Sequence, residues 1–336
     1  MQFGHFDDER KEYVIDTPYT PLPWINYLAG EDFFSIISNT AGGYSFYRDA
    51  KLRRITRYRY NSPATDNGGR YFYITDGETV FSPSFLPSKT PLDEYKCRHG
   101  LNYTVFESVK NGIRADLICF VPQKDACEIN LLKIRNDSGK GKKLSVYGGV
   151  EFCLWNAQDD TTNFQRNYNT GEVEIVTDEK TGAVYHKTEY RERRNHYAFF
   201  SVNSSPDGYD TDRDTFLGKF NGFDNPEAVR RKTSFNEKAS GWAPAAFLRK
   251  DVTLKVGEEI TLVYLLGYVE NDKNDKWEAP NVINKKKATA IINKYRDEKA
   301  VYAELDALKK RWTELLNKFS VKTPDEKFDR TVNIWN

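Results

Sequence analysis

The chain has 336 residues, more than a usual single domain, and sets 50 lysines and arginines against 49 acidic side chains. A net charge of +1 supplies no whole-chain field to recruit nucleic acid or an anionic membrane, so any charged partner surface is local. Aromatic residues make up 14% of the chain, a bias that suits half-buried sheet faces and also stacking on sugar rings; composition leaves both readings open.

The amino terminus, Met1-Gln2-Phe3-Gly4-His5-Phe6-Asp7-Asp8-Glu9, has no apolar leader core, and nowhere do about 18 apolar residues run together. The four cysteines, Cys97, Cys119, Cys127 and Cys153, form no C-x-x-C pair and no ligand pattern with the histidines. Buried free thiols and a cytoplasmic location are expected.

From Tyr13 to about Tyr268 the apolar residues recur with period two between turn residues, the pattern of strands with one face in a core. Ile113, Ala115, Leu117, Cys119 and Val121 mark one strand; Leu144, Val146, Gly148, Val150 and Phe152 mark another. Between them Asn136-Asp137-Ser138-Gly139-Lys140-Gly141 reads as a turn. Val252, Leu254 and Val256 lead through Gly257-Glu258 into Ile260, Leu262, Tyr264 and Leu266, which predicts a hairpin. Many such strands with almost no helical period predict a mainly β fold, an antiparallel sandwich.

The polar stretch Glu270–Asn281 reads as a linker leaving the sandwich. The period then becomes helical. Ala288, Ile291, Ile292 and Tyr295 form one stripe; Val301, Leu305, Leu308, Trp312, Leu315 and Phe319 form a second, expected to pack on the sandwich or on a further domain. Thr323-Pro324-Asp325-Glu326 predicts a third helix, capped by Thr323 with Pro324 in its first turn. Phe328, Ile334 and Trp335 have nothing to pack on in that reading, so the chain is expected to be cut within a second domain.

No nucleophile elbow, Walker loop, dinucleotide fingerprint or H-E-x-x-H pair is present, and His5, His99, His186 and His196 are read as surface or satisfied core residues. Asp159-Asp160 reads as a solvated pair. One segment, Glu151 to Tyr168, leaves an apolar strand and becomes dense in amides, hydroxyls and aromatics, groups that match sugar hydroxyls and an apolar sugar face. An ordinary polar loop has the same composition. A second, Thr188 to Tyr197, carries Arg191, Arg193 and Arg194 beside Glu189 and Glu192, as a solvated strand face or a subunit interface.

The runs Tyr19-Thr20-Pro21-Leu22-Pro23-Trp24-Ile25-Asn26-Tyr27-Leu28, Asn39-Thr40-Ala41-Gly42-Gly43-Tyr44-Ser45-Phe46, Glu151-Phe152-Cys153-Leu154-Trp155-Asn156, Thr162-Asn163-Phe164-Gln165-Arg166 and Thr188-Glu189-Tyr190-Arg191-Glu192-Arg193-Arg194-Asn195 resemble glycoside hydrolase family 94, and within it the cellobiose phosphorylases. Cellodextrin and chitobiose phosphorylases are the alternatives within the family. The resemblance implies a β super-sandwich over 1–270, linker helices over 271–322, and at 323–336 the truncated start of an (α/α)6 catalytic barrel. It further implies a homodimer, or a complementing barrel chain. The implied reaction is phosphorolysis, with inorganic phosphate as co-substrate and no metal or organic cofactor. Cellobiose would give α-glucose 1-phosphate and glucose with one inversion, the proton coming from a barrel aspartic acid outside this chain. No catalytic residue is expected here. By the same resemblance Asn156, Asn163, Gln165 and Arg166 bind the acceptor glucose in the neighbouring subunit's site: Gln165 and Arg166 by direct hydrogen bonds, Asn156 and Asn163 at the entrance. Readings of another class are a free-standing carbohydrate-binding module and a dimerisation domain.

Overall fold

A computed structural model describes residues 2–59, 66, 68–162, 171–187, 195–241 and 243–335. The alternating apolar residues sort onto two antiparallel sheets. Among the described residues one has eleven strands, in the order Gly4–Asp7, Glu12–Ile15, Glu94–Gly100, Tyr103–Lys110, Ile113–Phe120, Cys127–Asn136, Glu259–Glu270, His196–Val202, Gly182–Lys187, Gly171–Thr177 and Ser240–Gly241. The other runs Gly208–Asp212, Pro244–Leu254, Lys142–Trp155, Arg54–Thr56, Gly43–Tyr47, Phe33–Ser38 and Ile25–Ala29, with Arg70–Thr75 and Val80–Phe81 branching from Lys142–Trp155. Leu117, Cys119, Leu132, Ile134, Leu262 and Leu266 of the first face Phe72, Ile74, Val146, Val150, Ala246 and Leu248 of the second in one core. All four cysteines are buried and unpaired.

A polar cluster crosses this core. Arg70 on one sheet pairs with Glu128 on the other, and Glu128 also accepts from Ser35 Oγ at 2.6 Å, Ser45 Oγ at 3.0 Å and Asn130 Nδ2 at 3.0 Å. Next to it Asp66 accepts from the hydroxyls of Ser38 and Thr40. This explains the Thr40-Ala41-Gly42-Gly43 run: a Cβ on Gly42 would overlap the Asp66 carboxylate, and Gly43 has φ +131° with Ile36 O against it. Because Asp66 is buried and held, Gly42→Ala is expected to lower the unfolding free energy by about 1–3 kcal/mol, read from the urea midpoint.

The predicted hairpin at Gly257 is a corner between sheets. Pro244–Leu254 pairs with Lys142–Trp155, whereas Glu259–Glu270 pairs with Cys127–Asn136 and His196–Val202. Leu254 and Leu262 share the core from opposite sides, and alternation reports a buried face without naming the strand's neighbour. Asn136 stitches this corner to the turn at 136–141: its Nδ2 donates to Leu254 O at 3.0 Å and to Lys140 O at 2.9 Å, and its carbonyl accepts from Gly257 N at 2.7 Å.

Two further layers cover the outer faces. On the eleven-stranded sheet, helices Lys286–Lys294 and Glu298–Leu316, with Tyr295 between them, bury Ala288, Ile292, Tyr295, Val301, Leu305 and Leu308 against Phe120, Ile129, Leu131, Phe199 and Leu265. The stripe then leaves the sheet, with Leu315 and Phe319 exposed. On the second sheet Phe216, Phe223 and Val229 cover Tyr71, Tyr73, Tyr147 and Phe247.

The stretch read as a linker is folded against the first sheet. Trp277–Ala279 pairs with Val282–Ile283, Asn271 Nδ2 donates to Asn284 O at 2.8 Å, and buried Lys285 bridges Glu174 at 2.7 Å and Glu278 at 2.9 Å. Its polarity concealed these mutual pairings. The last helix, Glu326–Asn333, starts two residues later than expected. Asp325, a stronger cap than threonine, accepts from Lys327 N at 2.9 Å, while Thr323 N donates to Asp329. Arg330 pairs with Asp8 at 2.5 and 2.7 Å and lies 4.7 Å over the Phe6 ring, Trp335 stands 6.1 Å from the same ring, and Ile334 is buried. The first strand therefore supplies the surface that the sequence reading did not find, and only Phe328 of the three stays exposed.

Candidate functional site

The strand Lys142–Trp155 carries the chain to the amide-rich segment. Its register slips between Phe152 and Trp155, where the partner is the short strand Arg54–Thr56. Trp155 is buried with φ +68°, a left-handed conformation that costs a bulky residue about 1–3 kcal/mol. Packing holds it: the indole lies edge-on to His196 at 4.6 Å and Tyr268 at 5.7 Å, and stacks on His186 at 5.4 Å. His186 is also stacked on Phe152 at 4.8 Å, and neither ring nitrogen has a hydrogen-bond partner among the described residues. Burial pushes that imidazole down to about 3, so it is a neutral ring in an aromatic stack.

The bend at Trp155 delivers Asn156 to the start of the helix Ala157–Thr162. Asn156 Oδ1 accepts from Asp159 N at 3.1 Å and its carbonyl from Asp160 N at 2.8 Å, so this side chain caps the helix. Ala157 N donates to Lys51 O at 2.7 Å, tying the helix to the turn before Arg54–Thr56. Asn163, Gln165 and Arg166 lie outside the described residues, as does the arginine-rich run 188–194.

Beneath the helix is an ionic cluster that sequence reasoning missed. Glu151, fully buried, accepts from Arg57 Nη1 at 2.8 Å, Arg59 Nη1 and Nη2 at 2.8 Å, and Arg213 Nη1 at 3.0 Å. Burial raises its carboxyl, and the charges of Arg59 and Arg57, joined by Arg213, more than reverse this and hold it well below the usual range. Arg57 reaches on to Asp160 through Nε at 2.6 Å and Nη2 at 2.5 Å. Asp160, read from the sequence as solvated, is a buried ion-pair partner with 3% of its side chain exposed. The signal available was Glu151 itself, a carboxylate inside an apolar strand.

Breaking the Arg57–Asp160 link leaves the guanidinium half-paired. Asp160→Asn is therefore expected to speed amide hydrogen exchange over 157–162 about tenfold, while the strand Ile113–Phe120 keeps its protection. Equal acceleration in both places would mean the pair supports the whole sandwich.

A pocket of about 430 Å³ opens between this helix and the turn, lined by Ala50, Lys51, Arg54, Ala157, Gln158, Thr161 and Thr162. Among the described residues no three histidine, cysteine, aspartate or glutamate side chains are grouped to hold a metal, and no helix is long and apolar enough to cross a membrane.

The family profile for the glycosyl hydrolase 94 supersandwich domain matches residues 11–298. The chain belongs to that family. The N,N'-diacetylchitobiose phosphorylase of Vibrio proteolyticus is 34% identical over 344 residues, an alignment covering 100% of this chain and 40% of the relative. The enzyme of the same name from Vibrio furnissii is 32% identical with the same coverage, and the solabiose phosphorylase of Paenibacillus borealis is 29% identical over 99% of this chain and 42% of its own length. The chain thus spans about two fifths of these relatives. A solved structure described as a kojibiose phosphorylase from the human microbiome superposes with TM-score 0.52 over 95% of this chain and 39% of its own, at 10% identity, a likeness of fold.

Proposed function

We propose that this chain is the β-sandwich region of a cytoplasmic, inverting disaccharide phosphorylase whose (α/α)6 catalytic barrel begins at the helix Glu326–Asn333. The observation that carries this reading is the alignment of phosphorylases to the whole chain, with the supersandwich family matched across 11–298. Two of those relatives are named for N,N'-diacetylchitobiose, which favours an N-acetylated disaccharide over the cellobiose expected from sequence motifs.

In this reading inorganic phosphate displaces the acceptor sugar at the anomeric carbon, and an acid of the barrel protonates the leaving oxygen. Phosphate is already anionic and needs no base, so the sandwich supplies position rather than proton transfer. Asn163, Gln165 and Arg166 reach the acceptor subsite of the partner subunit in a homodimer. Asn156 caps the helix that leads to them, and the Glu151, Arg57 and Asp160 cluster fixes that helix to the sheet.

Phosphate release from N-acetylglucosamine 1-phosphate plus N-acetylglucosamine tests the reading, with this chain alone and with a chain carrying the barrel. Release only from the mixture is expected, faster than with glucose 1-phosphate plus glucose. Release by this chain alone would place the chemistry elsewhere than proposed. In the active assembly Arg166→Ala is expected to raise the acceptor's KM more than that of the sugar phosphate, and equal effects would remove the acceptor role.

A further inference from the structure

Residues 17–30 carry no charged side chain, in a chain of which 29% are charged, and yet much of the stretch lies at the surface. Tyr19, Leu22 and Tyr27 keep 63%, 70% and 65% of their surface exposed, and Ile25 keeps 48%. Large apolar side chains grouped in this way, with no carboxylate or ammonium among them, mark a surface that another apolar surface covers. The strand Ile25–Ala29 ends the nine-stranded sheet, so an added strand is the first candidate, and the backbone rules it out. Tyr27 N donates to Asn26 Oδ1 at 2.9 Å, Ala29 N donates to Asn102 Oδ1, and Ala29 O accepts from Asn102 Nδ2 at 2.9 Å. With these edge groups occupied, a partner meets side chains. Leu22 and Ile25 offer no hydrogen bond to a sugar, so the partner is a polypeptide that brings apolar side chains of its own, as the faces of helices do.

The last helix points to which polypeptide. A pocket of about 750 Å³ separates Trp24, Ile25 and Asn26 of this edge from Lys327, Thr331 and Trp335. The Arg330–Asp8 pair holds the helix Glu326–Asn333 beside it, and Phe328 of the same helix is exposed as well. We propose that the neutral edge from Tyr19 to Tyr27 is the docking surface for the helical catalytic domain that this helix opens. The inference rests on the phosphorylase reading for the identity of that domain, and on the edge and the pocket for where it sits.

Sedimentation velocity of this chain, alone and with a chain carrying the barrel, reads the contact. A one-to-one complex is expected, and Ile25→Asp combined with Tyr27→Asp is expected to weaken it about tenfold, because docking would desolvate two carboxylates. Both positions are exposed, so this double variant is expected to keep the parent's circular dichroism and urea midpoint. Val176→Asp, the same charge at an exposed apolar residue of the other sheet, is expected to leave the affinity unchanged. No complex, a complex that the double variant leaves intact, or equal weakening by Val176→Asp would each overturn the docking surface. So would a dimer of this chain alone that the double variant abolishes, since a second copy would then be the occupant. Phosphate release by the same mixtures is followed in parallel. A complex weakened by the double variant, with no phosphate release from any mixture, supports the surface and removes the phosphorylase reading; phosphate release with a complex that the double variant leaves intact does the reverse.

Discussion

Glu151→Gln is expected to lower the unfolding free energy by about 3–5 kcal/mol, read as a lower urea midpoint at pH 7. The reason is the asymmetry of buried charge. Three guanidiniums converge on this carboxylate at 2.8 to 3.0 Å, and Arg57 and Arg213 have only 6% and 20% of their side chains exposed. Glutamine keeps the shape and removes the charge, leaving cations in a desolvated site where, among the described residues, Arg57 still pairs with Asp160 and Arg213 with Asp214. Arg59→Lys, at a side chain 36% exposed, is expected to cost less because water can take over part of the pairing.

The same carboxylate sets an acid limit. Its folded pKa lies below the ordinary value of 4.5, so the stabilisation is complete above that pH and is lost as pH falls toward the depressed value. Stability of the parent chain should therefore decline more steeply below about pH 4.5 than that of Glu151→Gln, the two converging in strong acid. Parallel decline would assign the acid sensitivity to other carboxylates.

The two-sheet architecture was legible because burial on one face leaves a period of two. Ile113 to Val121 and Leu144 to Phe152 both became strands of the shared core. Which strands would be neighbours was not legible: the segments flanking Gly257 carry the hairpin pattern and join different sheets. The ion cluster was hidden for a related reason. Arg57 and Glu151 are 94 residues apart, and each alone resembles a solvated charge. Asn156 was read as a residue at the entrance of the acceptor site, and its position at the end of a bulged strand also gives its oxygen a cap to make. Folding supplies what the one-dimensional pattern lacks, the identity of each polar group's partner.

Asp210 carries the opposite electrostatic sign. It lies in the strand Gly208–Asp212 with 1% of its surface exposed, and Oδ1 accepts from Phe235 N at 2.6 Å. Among the described residues no guanidinium is in ion-pair contact with it, the charge of Arg249 giving only a minor downward pull, and Oδ2 has no hydrogen-bond partner. Burial pushes the carboxyl up to about 7 from the ordinary 3.8, against the pull of the Phe235 amide. A raised folded pKa means that the native state is most favoured with the proton on: this stability is whole below pH 3.8 and drains as pH rises through about 7. Asp210→Asn keeps an oxygen for Phe235 and removes the ionisation. It is expected to be more stable than the parent by about 2–4 kcal/mol at pH 8, and level with it at pH 3, in urea titrations at the two pH values. A constant difference between the variants at both would show that Asp210 stays ionised in the folded chain, and would move the source of any alkaline instability to another buried group.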